Sequence, residues 1–346
     1  MDDLDIRITG RAGRITLARP RALNALDHAM ARAILDTLTE WRDRDDLDLV
    51  ILDAQGDRAF CAGGDIAAVY HAGRQGNHQV GRDFFRDEYR MNAAIADFPR
   101  PVVAFMQGFV MGGGVGLAGH ASHRIAGDTT RIAMPESGIG LIPDVGGTWL
   151  LARAPGRIGE YLTLTGARMA AGDAIHAGFA DSYLPEADWP MLIARLEAEG
   201  DLRAIPDRPA PGSDLARRDL SAFGGPDIAS ITEALGAQAA AGGEDADFAA
   251  EALAAMARNS PLSMAAGLAL VRAARADRRM QQSLSREYRF TARATAESDF
   301  LEGVRAQIID KDRNPQWRAP ADAQAVARIL SPLEQDELTW DEEDRP

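Results

Sequence analysis

Two glycine-rich loops form the first pattern in this sequence that could support catalysis. CAGGD (61–65) and MGGGVG (111–116) each follow an apolar, strand-like run and precede a helical pattern. Backbone N–H groups without helical partners collect at such turns. Glycine lets a carbonyl oxygen approach these amides, so two facing loops would form an oxyanion hole for an enolate or a tetrahedral intermediate. Glycines after strands also occur as plain turns, and the spacing alone leaves both interpretations open.

Two carboxylic acids lie downstream of these loops. Glu136 stands in MPE and Asp144 in IPDVGG. A carboxylate pair beside a polarised carbonyl can activate water or attack directly, while the second group holds a proton or orients its partner. Taken alone, each acid is better explained as a helix cap or a solvated loop residue.

Other short motifs are weaker. GVGLAG (114–119) matches the dinucleotide pattern GxGxxG, and Glu136 lies at a suitable distance to hold a ribose. A Rossmann unit needs a helix of about three turns after the glycines, whereas only about eight residues separate Gly114 from the strand-like HRIAGD. The sequence contains no GxSxG, HExxH or Walker motif. It therefore lacks the signatures of serine hydrolases, zincins and nucleoside triphosphatases.

The elements that must position these loops alternate between strand and helix patterns. Residues 4–20 predict a β-hairpin, and Asp27 is a plausible N-cap for the amphipathic stretch that follows. Further strands are predicted at 47–56, 101–105 and 131–136, with an amphipathic helix at 84–98. This alternation predicts an α/β fold.

The composition changes near residue 201. The segment 201–215 is rich in proline and charge, as linkers and long surface loops are. The chain beyond it is rich in Ala, Arg and Leu with helical periodicity, and the acidic tail from residue 336 is expected to be solvated. The last third is therefore predicted to be mainly helical.

Charge and cysteine content limit the partners and the compartment. The 346 residues carry a formal net charge of −14, which argues against nucleic acid as a partner. Cys61 is the single cysteine, which excludes an intramolecular disulfide and is typical of a reducing compartment. The N-terminus lacks the features of a signal peptide, so we predict a cytoplasmic protein. The uncharged stretch 101–119 contains Gln107 and six glycines, and a strand, loop and helix explain it better than a membrane span.

Three longer segments resemble the crotonase, or enoyl-CoA hydratase/isomerase, superfamily. They are AFCAGGDI, GFVMGGGVGLAGHASHRIA and MPESGIGLIPDVGGTWLLAR. FFRDEY, the PDVGG pattern and EGVRAQIIDKDRNPQW resemble the branch that hydrolyses short β-hydroxyacyl-CoA thioesters. The resemblance covers nearly the whole chain. It implies a crotonase-like spiral of repeated ββα units as the catalytic core at 1–200. The mainly helical region at 201–346 would then cover the active site or mediate assembly.

The resemblance also implies roles for individual residues. The amides of Gly64 and Gly113 would hold the carbonyl oxygen of an acyl-CoA thioester. Glu136 matches the acid/base glutamate of the family, Asp144 an aspartate typical of the hydrolase branch, and Glu88 a glutamate near the hydroxyl of the acyl group.

Other positions carry weaker implications. Ala22 and Ala62 lie in segments that follow CoA in the family, mostly through backbone contacts. His120 is expected in the helix after the glycines, packed in the core rather than acting behind the site. Cys61 is expected to be a small buried side chain. Gly116 departs from the hydratases, which carry a second catalytic glutamate there, in GGGCEL.

The expected activity is hydrolysis of 3-hydroxyisobutyryl-CoA in valine breakdown, with no metal and no cofactor beyond the CoA of the substrate. Glu136 would act as a nucleophile or as a general base, and the sequence leaves this choice open. An enoyl-CoA hydratase or isomerase is the first alternative. A catalytically silent acyl-CoA-binding subunit is the second, and the intact Glu136 and Asp144 argue against it. The superfamily often forms trimers through C-terminal helices, so a homo-oligomer is an open alternative.

Overall fold

A computed structural model describes residues 3–318 and 322–340. The strands in this part of the chain are β1 (Leu4–Thr9), β2 (Ala12–Leu17), β3 (Leu49–Ala54), β4 (Ala59–Cys61), β5 (Val102–Met106), β6 (Phe109–Met111), β7 (His123–Ala126), β8 (Arg131–Ala133) and β9 (Ser182–Tyr183). The helices are α1 (His28–Trp41), α2 (Ala67–Arg74), α3 (Gln79–Ala96), α4 (Gly113–Ala118), α5 (Gly147–Arg153), α6 (Ile158–Thr165), α7 (Ala171–His176), α8 (Trp189–Glu199), α9 (Ile228–Ala241), α10 (Ala246–Met256), α11 (Pro261–Ala274), α12 (Met280–Glu297), α13 (Phe300–Val304) and α14 (Ala323–Ile329).

The strands form two sheets, and from β3 onward successive strands alternate between them. The larger sheet has the order β1-β2-β3-β5-β7-β9, and the smaller one has the order β4-β6-β8. Only the β1–β2 hairpin is antiparallel among these pairings, so every later strand needs a crossover connection. The β2–β3 crossover passes through α1, and each later crossover passes through a strand of the other sheet and at least one helix. This arrangement confirms the predicted α/β fold of repeated ββα units.

Local sequence signals explain why the first elements form. The side chain of Asp27 accepts a hydrogen bond from the Met30 amide at 2.8 Å, which satisfies one free N–H group at the start of α1. Met30, Ile34 and Leu38 then fall on the buried face of that helix. The predicted N-cap and the predicted apolar stripe are both confirmed.

The larger sheet is covered on both faces. Val50 and Leu52 of β3 belong to the main hydrophobic cluster, whereas Leu49 and Ile51 of the same strand face a second cluster that includes Trp189 of α8. A central parallel strand buried on both sides reads as a continuous apolar run, as β3 does. The two glycine loops follow β4 and β6 of the smaller sheet.

The stretch 101–119 is divided among β5, β6 and α4, which agrees with a strand, loop and helix. Among residues 3–318 and 322–340, no helix combines the length and the apolar composition needed to cross a bilayer. Helix α4 has six residues, too short for the long helix of a dinucleotide-binding unit.

The C-terminal part follows the composition change. From residue 228 onward, α9 to α14 account for most of the described chain, which confirms the predicted helical region. The prediction that the acidic tail is solvated is wrong for two residues. Leu338 is buried, and the indole N–H of Trp340 donates to Ser285 Oγ at 2.8 Å. These apolar side chains dock on α12 although their neighbours are acidic. Residues 341–346 lie outside the described residues. The boundary at residue 200 stays a prediction.

Candidate active site

A cavity of about 290 Å³ lies where the two glycine loops meet α3 and the segment after β8. Gln307 and Ile308, from the turn that follows α13, also line the cavity. The cavity also receives the loop residues and three acidic side chains: Ala62, Gly63, Gly64, Gly112, Gly113, Glu88, Glu136 and Asp144. The five catalytic and carboxylate positions inferred from the sequence therefore all line one cavity.

The amides of Gly64 and Gly113 lie side by side at one wall of this cavity. A Cβ atom at position 113 would lie 3.3 Å from the Gly64 nitrogen, so the two loops are in contact there. Among the described residues, no carbonyl or side chain accepts a hydrogen bond from either amide. Two adjacent donors without protein partners can bind a carbonyl oxygen and stabilise the charge that develops on it.

The glycines bring the loop backbone against two of the carboxyl groups. A Cβ atom on Gly113 would lie 2.6 Å from Glu88 Oε1, and one on Gly112 would lie 2.6 Å from Glu136 Oε1. Gly112 also has a φ of +49°, which favours glycine. These positions therefore need glycine both for the backbone and for the space that the acids occupy.

The three acids are almost fully buried. Glu88 is 2% exposed, Glu136 5% and Asp144 3%, and the described lining of the cavity contains no Arg or Lys to neutralise them. Burial, and then the charge of Asp144, raise the pKa of Glu136 and that of Glu88 well above the ordinary value. Burial raises the pKa of Asp144 to about 7, although a hydrogen bond from Tyr89 opposes this shift. The cluster therefore holds protons near neutral pH and can supply an acid and a base together.

Two buried carboxylate oxygens in the cluster have no hydrogen-bond partner among the described residues. Glu88 Oε1 and Glu136 Oε2 are buried, and no described residue hydrogen-bonds to them. Leaving a buried polar atom unpaired costs about 1–3 kcal/mol. Both side chains line the cavity, so a bound molecule can supply the missing hydrogen bonds.

Two side chains from distant parts of the chain hold Asp144 and the loop that carries it. The Tyr89 hydroxyl donates to Asp144 Oδ2 at 2.8 Å. The amides of Gly146 and Thr148 donate to the carboxylate of Glu287, at 2.8 Å and 3.0 Å. Sequence reasoning identified neither Tyr89 nor Glu287 as a site residue.

His120 contacts the same loop. Its Nε2 atom lies 2.7 Å from the carbonyl oxygen of Val145, so Nε2–H donates and the ring is the Nε2–H tautomer. Burial lowers the pKa of His120 to about 4, which keeps the ring neutral. The predicted helical position is wrong, because α4 ends at Ala118. The preferred packing interpretation is incomplete, since His120 also holds the backbone beside Asp144.

The buried carboxyl of Asp144 makes the stability of the folded chain depend on pH. The pKa of the Asp144 carboxyl is about 7 in the folded chain against an ordinary value of 3.8. The folded state therefore binds this proton more tightly than the unfolded state, and the free energy of unfolding falls as pH rises between these two values. Asp144→Asn removes this loss. We expect its stability relative to wild type to increase by at least about 1 kcal/mol, the equivalent of one pKa unit, between pH 5 and pH 8.

Urea unfolding of both proteins at the two pH values measures this difference. A stability difference that is the same at both pH values would contradict a raised pKa for Asp144. Asp181→Asn is the matched control, because Asp181 is an exposed carboxylate paired with Arg124 outside the cavity.

The remaining sequence-derived positions differ in their relation to the cavity. Ala62 lines it, whereas Ala22 is exposed and lies outside its lining. The two segments are nevertheless joined, since the Ala62 amide donates to the Leu23 carbonyl at 3.0 Å. Cys61 is buried as expected, and burial raises the pKa of its thiol to about 12. The predicted CoA contacts of both alanines stay predictions.

Gly116 lies behind the cavity in a space that is already filled. A Cβ atom there would lie 2.7 Å from Asn92 Nδ2 and 2.8 Å from Val145 Cβ. Asn92 is fully buried, and neither polar atom of its side chain has a hydrogen-bond partner among the described residues. A glutamate at position 116 has no room in this packing.

No metal centre accompanies the acids. Within the part of the chain that the structure describes, no group of three or more His, Cys, Asp or Glu side chains is arranged to hold a metal ion. The expectation that the protein needs no cofactor stays a prediction.

The fold and the paired glycine loops define an enzyme of the crotonase superfamily. A family model described as enoyl-CoA hydratase/isomerase matches residues 12–330, and the chain belongs to this family. Among curated relatives, the chain is 37% identical over 324 residues to the mitochondrial 3-hydroxyisobutyryl-CoA hydrolase of Xenopus tropicalis, covering 89% of this chain and 82% of that protein. It is 36% identical over 320 residues to 3-hydroxyisobutyryl-CoA hydrolase 1 of Arabidopsis thaliana, covering 88% of this chain and 83% of the relative.

Similar solved structures carry other names. An enoyl-CoA hydratase from Rhodobacter sphaeroides is 53% identical, with a TM-score of 0.92 over 97% of this chain and 99% of its own. A carnitinyl-CoA dehydratase from Mycobacterium thermoresistibile is 38% identical, with a TM-score of 0.91 over 99% of this chain and 100% of its own. The relatives named here belong to one family, but some are named for thioester hydrolysis and others for reactions at the acyl chain.

Proposed function

We propose that this protein hydrolyses the thioester bond of a short β-hydroxyacyl-CoA, with 3-hydroxyisobutyryl-CoA as the expected substrate. The observation that carries the proposal is the placement of the acids. Glu88, Glu136 and Asp144 converge on a cavity with two free amides, while position 116 carries no carboxylate and cannot hold one. The curated relatives that are named hydrolases support the same reaction.

In this reaction the thioester carbonyl oxygen accepts hydrogen bonds from the amides of Gly64 and Gly113. Polarisation by these amides makes the carbonyl carbon more electrophilic, and they stabilise the oxyanion that forms when a nucleophile adds to it. The donors are fixed by the backbone before the substrate binds, so little reorganisation accompanies the chemical step.

Glu136 supplies the nucleophile by one of two routes. Its carboxylate either adds to the carbonyl carbon, so that the C–S bond breaks and a mixed anhydride forms, or removes a proton from a water molecule that adds instead. In the first route water then cleaves the anhydride and regenerates Glu136. In both routes the CoA thiolate leaves and takes a proton, which the protonated carboxyl of Glu88 can donate because burial and the charge of Asp144 raise its pKa.

Glu88 accounts for the preference for a β-hydroxyl group. Its Oε1 atom is buried, has no hydrogen-bond partner among the described residues and lies close to Gly113 of the proposed oxyanion hole. The hydroxyl of the substrate satisfies this oxygen. An acyl group without the hydroxyl leaves it unpaired, at a cost of about 1–3 kcal/mol.

An enoyl-CoA hydratase is the second candidate, and the names of the two similar solved structures favour it. Hydration of an enoyl thioester in this superfamily uses a second glutamate at the position of Gly116. The site could hydrate an enoyl thioester only if Glu88 or Asp144 replaced that glutamate. A silent binding subunit is less consistent with three buried acids, since charged groups are costly to bury without a function for them.

A substitution at Gly116 tests the difference from the hydratases. Gly116→Glu restores the hydratase pattern in sequence, but its side chain meets Asn92 and Val145. We expect a loss of stability of at least about 1–3 kcal/mol from overpacking and no gain of hydration. Urea unfolding and the loss of enoyl absorbance measure the two effects. Gly236→Ala is the control, because nothing lies within 4 Å of a Cβ atom there. A stable variant that hydrates crotonyl-CoA would contradict the packing argument.

Thiol release tests the proposed function. Purified protein is mixed with 3-hydroxyisobutyryl-CoA, 3-hydroxypropionyl-CoA or crotonyl-CoA, and free CoA is measured with a thiol-reactive dye. Release from the two hydroxyacyl esters is expected. Loss of the crotonyl chromophore without free thiol would favour the hydratase, and binding of all esters without turnover would favour the silent subunit. The cytoplasmic location and a homo-oligomer stay predictions. The Xenopus tropicalis relative is named a mitochondrial protein, whereas the name of the Arabidopsis thaliana relative gives no compartment.

A further inference from the structure

The hydroxyl of Tyr89 contacts the Asp144 carboxylate from outside the cavity lining. Tyr89 is fully buried on α3 and does not line the cavity, yet its hydroxyl lies 2.8 Å from Asp144 Oδ2. Burial and the nearby carboxylates raise the pKa of Tyr89 well above its ordinary value. The phenol therefore keeps its proton and donates a hydrogen bond to Asp144. Thr291 Oγ1, on α12, lies 3.3 Å from the same phenol oxygen.

Among the described residues, the charged groups that interact with Asp144 are acidic. Glu88 faces it from α3, Glu136 from the segment after β8, and Glu287 from α12. Tyr89 is the only side chain that donates a hydrogen bond to Asp144 among the described residues. Its phenol thus favours the ionised carboxylate, whereas burial and the neighbouring acids favour the protonated form.

The backbone around Asp144 is anchored separately. Glu287 accepts hydrogen bonds from the amides of Gly146 and Thr148 and from the hydroxyl of Thr148. His120 holds the carbonyl of Val145. Three of these hydrogen bonds fix the backbone without Tyr89, so the phenol acts on the side chain of Asp144.

We infer that Tyr89 is a positioning residue of the reaction, which fixes the orientation of the Asp144 carboxylate and favours its ionised form during turnover. The inference rests on the proposed function for its kinetic consequence. The hydrogen bond itself does not depend on which acyl-CoA reaction the site performs. Tyr89 does not touch the substrate, because it lies outside the cavity lining.

Tyr89→Phe tests this role. The ring keeps its packing against Phe85 and Tyr288, and only the hydroxyl is lost. We expect kcat for 3-hydroxyisobutyryl-CoA to fall by about 10- to 100-fold, the size of a lost hydrogen bond to a charged group. The acidic limb of the kcat/KM profile should also move to higher pH, so that part of the lost rate returns in alkaline buffer.

Tyr288→Phe is the matched control. Its hydroxyl lies 3.3 Å from the Arg82 carbonyl and does not contact Asp144, although the two tyrosine rings are neighbours. This variant should keep its rate within about two-fold and its pH profile unchanged. An unchanged rate in Tyr89→Phe, or a lower rate with an unmoved acidic limb, would overturn the inference.

Carboxyl carbon NMR separates this inference from the proposed function. The Asp144 resonance is assigned by comparison with Asp144→Asn and titrated in wild type and in Tyr89→Phe, without substrate. A higher Asp144 pKa in Tyr89→Phe supports the inference, and an unchanged pKa overturns it. Absence of thiol release by wild type would overturn the hydrolase proposal alone.

Discussion

Glu136→Gln should lower the rate of thiol release by about 10²- to 10⁴-fold, the contribution of a positioned acid/base group, and by more if Glu136 is the nucleophile. Glutamine keeps the size of the side chain next to Gly112 but can neither remove a proton nor add to a carbonyl. The oxyanion donors stay in place, so affinity for CoA esters should be retained. Stopped-flow thiol release gives the rate, and calorimetry with CoA gives the affinity.

Glu199→Gln is the control for the same chemical change. Glu199 is an exposed residue of α8, paired with Arg195 at the surface, and such pairs contribute little. It should hydrolyse the ester at the wild-type rate. A Glu136→Gln variant with the wild-type rate would remove Glu136 from the mechanism.

Gly113→Ala should abolish most activity by a different route. The backbone of Gly113 is within the range that alanine adopts, so α4 can still form. The added Cβ atom would lie 2.6 Å from Glu88 Oε1 and 3.3 Å from the Gly64 nitrogen. It therefore displaces Glu88 and occupies the space in which the thioester oxygen approaches the two amides. We expect a loss of at least about 10²- to 10³-fold in kcat, comparable with the removal of one oxyanion donor.

Circular dichroism and urea unfolding show whether Gly113→Ala still folds. A folded protein with little activity supports the placement of the oxyanion hole between the loops. Near-wild-type turnover by a folded variant would contradict it, because no carbonyl oxygen could then share that space with a methyl group. Gly236→Ala, which adds a methyl group in open space on α9, serves again as the control.

The parts of the fold that depend on local sequence could be predicted. The β1–β2 hairpin, the Asp27 cap and the strands β3 and β5 follow from patterns within a few residues. The same holds for the short α4, because its length is limited by the strand that follows it. The position of His120 was wrong, since a helix end cannot be located to within two residues from composition alone.

The residues behind the catalytic acids could not be predicted, because their contacts join distant segments. Tyr89 lies 55 residues from Asp144, and Glu287 lies 141 residues from Gly146. One signal for Glu287 was present. It falls on the apolar stripe of α12 between Leu284 and Thr291, where a charged residue is unusual unless it has buried partners.

The acidic tail from residue 336 was predicted wrongly because its composition outweighed two apolar residues. Its acidic residues predicted solvation, but a single leucine and a single tryptophan among them were enough to dock it. Leu338 and Trp340 reach a surface of α12 that no local pattern describes.

The most direct test of the account is the identity of the products formed from 3-hydroxyisobutyryl-CoA. Wild-type protein is incubated with the ester, and mass spectrometry separates free 3-hydroxyisobutyrate and CoA from methacrylyl-CoA. Hydrolysis gives the first two in equal amounts, whereas a hydratase working in reverse removes water and leaves the thioester intact. The account predicts the free acid and CoA, lost together in Glu136→Gln. Methacrylyl-CoA without free CoA would contradict it.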